Sequence, residues 1–84
     1  MKMGLIMADN IRFEIQKHYG VLLTRDRSRW TKELNLVSWD DKPAKFDIRE
    51  WDEGHERMSR GITFTETEAK ILYEILKSVF DSDK

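Results

Sequence analysis

Lys45-Phe46-Asp47-Ile48-Arg49-Glu50-Trp51 alternates without a break. Phe46 and Ile48 fall on one side, and Lys45, Asp47, Arg49 and Trp51 on the other. Alternation with period two is the mark of a strand with one covered face. The preceding stretch, Trp30 to Trp39 (WTKELNLVSW), behaves alike. Leu34 and Leu36 share one side, and Asn35, Val37 and Trp39 the other. Asp40-Asp41-Lys42-Pro43 between them supplies turn residues.

Upstream, Phe13 and Ile15 alternate with Arg12, Glu14 and Gln16. This strand continues through Val21 to Thr24, with a bend expected at Gly20. The polar run Arg25–Arg29 (RDRSR) reads as a hairpin tip. Downstream, Asp52–Ser59 reads as a charged loop, and Gly61–Phe64 as a short fourth strand. Three hairpins in succession predict an antiparallel meander.

A helix follows. Thr65 with Glu68 forms a capping-box pattern. Ala69, Leu72, Tyr73, Leu76, Val79 and Phe80 recur at spacings of three and four, and Ile71 and Ile75 widen that face. One sheet cannot cover so broad an apolar helix, so a second subunit is expected to do so. The fold class is α+β, a four-stranded antiparallel sheet followed by a C-terminal helix, with a homodimer formed through the helices. Residues 1–10 read as a disordered lead-in, 11–80 as the domain and 81–84 as a frayed tail.

The chain has 84 residues, enough for one small domain. It has no cysteine, which excludes disulfides and thiolate metal sites and points to a reducing compartment. Leu5-Ile6-Met7 is too short for a signal-peptide core or a membrane span. A soluble, cytoplasmic protein is expected, with no membrane partner. The net charge is −1, with eleven Lys/Arg against ten acids between Arg12 and Arg60. Bulk charge is therefore neutral on nucleic acid.

Catalysis has little support. His18 and His55 are the only histidines and show no metal-ligand spacing. The Asp52-Glu53 and His55-Glu56 cluster reads as solvated. Ser28, Ser38 and Ser59 lack an elbow motif, and Gly20 and Gly54 form no phosphate loop. No enzyme, cofactor, metal or small-molecule substrate is expected.

The side bearing Asn35, Val37, Trp39, Lys45, Arg49 and Trp51, turned away from the helix, carries the functional expectation. Indoles interleaved with cations suit single-stranded nucleic acid, with bases stacking and cations tracking phosphates. The alternatives are that Trp39 and Trp51 cap the core rim or pack in the dimer interface, or that this aromatic face docks a protein partner. Trp30 then anchors a loop, Arg49 makes an ion pair, and Arg57 and Arg60 only solubilise. Asp47, acidic on a phosphate-binding face, reads as orienting an arginine.

These residues resemble the positive-cofactor-four family of transcriptional coactivators, most closely its small bacterial YdbC-like members. The resemblance runs from about Phe13 to Phe80. It rests on Phe46-Asp47-Ile48-Arg49-Glu50-Trp51, Phe13-x-Ile15-x-Lys17, Lys32 through Trp39, and Arg60-Gly61-Ile62. It implies a curved sheet, dimerisation through helices, and binding of single-stranded DNA with little sequence preference. It further implies stacking by Trp39, and roles for Arg49 and Trp51 in the third-strand motif. Lys17 and Arg60 would face phosphates. Trp30, Lys32, Asn35 and Lys45 are added from the strand alternation alone. The setting implied is transcription, replication or repair, with RNA also open. The family's serine-rich acidic segment is absent, and the stretch before Gly61 is weakly basic. Binding is thus expected to lean on stacking more than on charge.

Overall fold

A computed structural model describes residues 11–82; the expected lead-in and the last two residues lie outside it. Four strands run in order, β1 (Phe13–Thr24), β2 (Thr31–Trp39), β3 (Lys45–Trp51) and β4 (Ile62–Phe64), followed by α1 (Glu66–Asp81). Each strand pairs antiparallel with the next, in the sheet order β1-β2-β3-β4. The fold is the expected four-stranded meander closed by one helix.

The turns form where their chemistry allows. Arg25 N–H donates to the Trp30 carbonyl, and Arg29 takes a left-handed backbone to close the first tip. Asp40 and Asp41 are left-handed too, a conformation that Asp tolerates better than most residues. Arg12 ties the second turn back to β1 through Asp40 and Asp41. At the helix start, Thr65 Oγ1 accepts from Glu68 N–H at 3.1 Å. Glu68 Oε1 accepts from Thr65 N–H at 2.8 Å, completing the capping box.

β1 carries register shifts between Ile15 and Lys17, His18 and Gly20, and Val21 and Leu23. Such bulges bend a strand and raise its twist. The result is visible in one contact. Phe13 lies opposite Trp39 and Trp51 opposite Thr31, at the two ends of β2. In a flat sheet that stagger would separate them by about 26 Å. Their ring centroids are 5.1 Å apart. The sheet is rolled, and its inner face carries Phe13, Ile15, His18, Glu33, Asn35, Val37, Trp39, Asp47, Arg49 and Trp51.

This roll overturns the expected sense of the two faces. The side bearing Asn35, Asp47 and Trp51 is the more buried one, with all three at 0 % exposure. Leu34, Leu36, Phe46 and Ile48 lie on the outer face and are only half-buried. There Phe46 stacks between Tyr19 and Phe64, at 5.6 and 5.9 Å. The helix meets the sheet only near β3 and β4 and buries none of its residues. Val37 and Trp51 are the only fully buried apolar side chains among the described residues.

Gly61 fixes how β4 approaches β3. A Cβ there would lie 2.3 Å from the Ile48 carbonyl oxygen and 2.4 Å from Arg49 Cβ. No helix among the described residues is long and apolar enough to cross a membrane.

Candidate nucleic-acid interface

Arg49 organises the inner face. Its Nε donates to Asp47 Oδ1 at 2.8 Å and Oδ2 at 3.0 Å, and its Nη2 to Oδ2 at 2.8 Å. Its Nη1 faces the Ser59 carbonyl at 3.4 Å. Held in this way, the guanidinium lies 4.4 Å from the centroid of the Trp39 indole. A guanidinium over an indole face is a cation–π contact. The Arg49 side chain is 13 % exposed and that of Asp47 0 %.

Burial pushes the Asp47 carboxyl above its usual range, against the pull of Arg49 and of the Trp39 indole N–H turned toward it. That N–H is buried and closes no full hydrogen bond. Trp39 itself is half-buried. Phe13 leans on it at 5.8 Å with an interplanar angle of 44°.

Lys45 lies opposite Val37, so it shares the inner face near Trp39, and it is exposed. Arg60, also exposed, precedes the Gly61 backbone that abuts Arg49. Trp39, Lys45 and Arg49 thus share one face of the sheet, while Arg60 is exposed next to Gly61 in the chain. The remaining expected residues do not join them at the surface.

Trp51 is the first correction. It is wholly buried, with Phe13 at 5.1 Å and His55 stacked at 5.7 Å, and presents no face to a ligand. The rolled sheet encloses the place that alternation alone assigned to the surface. Asn35 is the second, enclosed at 0 % exposure by hydrogen bonds to Glu33 and His18. Lys17 and Lys32 are the third. Lys17 lies opposite Leu36 on the outer face, 5.5 Å from the Tyr19 ring. Lys32 lies opposite Glu50, also on the outer face. Trp30 is half-buried, just before β2 and beside the first turn.

Arg49 also departs from the role of phosphate partner, since its donors are turned to Asp47 and Ser59. Glu50, beyond it, takes Arg25 as a fork at 2.6 and 2.7 Å. That hydrogen bond, with the nearby charges of Arg25 and Lys32, holds its carboxyl below the usual range.

A second cluster on the inner face was not singled out by the sequence. Glu33 is 3 % exposed and accepts from Asn35 Nδ2 at 3.0 Å, His55 Nε2 at 2.9 Å, and the Thr31 hydroxyl. Burial raises its carboxyl, but these hydrogen bonds and the His55 contact outweigh it and hold the group below its usual range. The available signal was the shared alternation of Glu33 with Asn35 and Val37 in β2. Among the described residues, no three His, Cys, Asp or Glu are arranged to hold a metal ion.

Two comparisons bear on this arrangement. An uncharacterised protein of Treponema pallidum (strain Nichols) is 33% identical over 78 residues, covering 93% of this chain and 91% of that one. Residues 27–75 match the family described as Transcriptional Coactivator p15 (PC4), a span that contains Trp30, Trp39, the Asp47–Arg49 pair and Gly61. The chain belongs to the PC4 family.

Proposed function

We propose that the chain binds single-stranded DNA through the inner-face surface around Trp39. The observation that carries this reading is the half-buried indole backed at 4.4 Å by a guanidinium that Asp47 holds in place. An aromatic pre-positioned in this way is a stacking platform for a base, worth about 1–3 kcal/mol per base. Lys45, exposed on the same face, serves in this reading as a cation for the phosphates, with Arg60, exposed next to Gly61, as a second. Membership of a family of single-stranded DNA binders supports the same reading. Trp30, Lys17 and Lys32 lie outside this patch and serve, in this reading, only a longer strand that leaves the inner face. The function is binding without chemistry, in transcription, replication or repair.

The working unit in this proposal is a homodimer. Ile71, Tyr73, Ile75, Val79 and Phe80 are each more than half exposed. At about 25 cal/mol per Å² of apolar surface, leaving that helix in water forfeits several kcal/mol. A second copy covers it, together with the half-open Leu34, Leu36 and Ile48 row.

Equilibrium binding of a labelled oligothymidine and of a duplex of equal length tests the reading. Single-strand binding that exceeds duplex binding and weakens with salt is expected. Equal or absent binding of both would instead favour a protein partner on this face.

A further inference from the structure

The two histidines take no part in the Trp39 platform, yet both close on one buried carboxylate. The Glu33 side chain is 4 % exposed, whereas those of His18 and His55 are 51 % and 40 % exposed. With Ile15 and Asn35 they line an open pocket of about 300 Å³. It adjoins the platform, because Glu33 lies opposite Arg49 in the β2–β3 register.

The hydrogen bonds fix both tautomers. A carboxylate only accepts, so the Asn35 amide turns its Nδ2 to Glu33, at 3.0 Å. Its Oδ1 is left toward His18 Nδ1 at 2.7 Å, and that ring nitrogen must carry a proton. His55 Nε2 lies 2.9 and 3.1 Å from the two Glu33 oxygens and must carry one as well. In each neutral ring the other nitrogen, His18 Nε2 or His55 Nδ1, is then a lone pair. Neither has a hydrogen-bond partner among the described residues.

His55 is held in this pose. Its φ is 58°, a left-handed backbone uncommon outside glycine. Trp51 stacks on its ring at 5.7 Å with an interplanar angle of 30°. Arg49, the nearest cation on β3, is turned to Asp47 and leaves Glu33 to the two imidazoles.

We propose that this pocket receives the exocyclic amine of a nucleobase in the bound strand, giving the interface a preference for amino-bearing bases. The proposal rests on the single-strand reading of the Trp39 surface. An exocyclic amine carries two N–H donors, and each imidazole of the pocket keeps one acceptor that no protein donor satisfies among the described residues. A uracil or thymine carbonyl in the same place sets lone pairs against lone pairs.

Oligodeoxycytidine and oligodeoxyuridine of equal length test it, because they differ by an amine against a carbonyl at one ring position. At pH 8 the wild-type protein is expected to bind the cytidine strand about fivefold or more tightly, the scale of one net hydrogen bond. In the His18→Phe, His55→Asn double variant the ratio falls to near one; asparagine is chosen because it tolerates the left-handed backbone. Equal affinities in the wild type, or a ratio unchanged in a folded double variant, overturn the pocket and leave the stacking platform standing. Failure of both strands to bind overturns the platform itself. If the double variant does not fold, oligodeoxyadenosine against a strand of unsubstituted purine, which lacks the amine, decides on the wild type: equal binding overturns the proposal.

Discussion

Arg49 lies 4.4 Å over the indole of Trp39 while both edges of its guanidinium are engaged, by Asp47 and by the Ser59 carbonyl. Its charge is therefore spent within the protein. Replacement by lysine removes the planar fork and the stack. Arg49→Lys is expected to weaken oligothymidine binding by about 1–2 kcal/mol, roughly five- to thirtyfold. The slope of log affinity against log salt should stay unchanged.

Lys45 is the contrasting case, an exposed inner-face cation with no ion-pair partner among the described residues. Lys45→Ala should lower the magnitude of that salt slope by about 0.7, the share of one phosphate on a single strand. Titrations at several salt concentrations read both variants on one plot.

Gly61 has room for no side chain. Gly61→Ala places a methyl 2.4 Å from Arg49 Cβ and 2.3 Å from the Ile48 carbonyl oxygen. The expected cost is about 1–3 kcal/mol of stability, with weaker binding as Arg49 shifts from Trp39. Gly20→Ala is the control, since no atom lies within 4 Å of the added carbon. Thermal melts of the two variants should differ accordingly.

Trp51 belongs to the core. Trp51→Ala should destabilise by about 3–5 kcal/mol. Trp51→Phe keeps a ring against Phe13 and His55 and removes an indole N–H that has no partner. Its oligothymidine affinity should match the wild type.

Glu33 and Asp47 make opposite contributions to pH dependence. The Glu33 carboxyl is held below its ordinary 4.5, so its stabilisation is complete above that pH and is lost as pH falls through the folded value. The Asp47 carboxyl is raised above its ordinary 3.8, so its ionisation reduces stability as pH rises through that window. Glu33→Gln should therefore lose less stability on acidification than the wild type. Melting temperatures between pH 3 and 7 check the sign.

The strands, turns and capping box were legible because local periodicity and turn chemistry encode them. Lys45–Trp51 and Thr65–Glu68 needed no tertiary information. The sense of the two faces was not legible, because it depends on how far the bulges of β1 roll Phe13 toward Trp51. Alternation correctly grouped Asn35, Trp39, Asp47, Arg49 and Trp51 on one face, but it cannot tell an enclosed row from an open one. Lys17, implied by the family resemblance, and Lys32, added from the strand alternation, were joined to that row, although their register places them behind it. The His18–Glu33–His55 cluster joins three separate segments, and no local pattern announces it.

Tryptophan emission during titration with oligothymidine tests the central claim most directly, in the wild type and in Trp39→Phe. Stacking on Trp39 predicts strong quenching in the wild type, little in the variant, and weaker binding by the variant. Undiminished quenching and affinity in Trp39→Phe would contradict it, placing the strand elsewhere on the molecule.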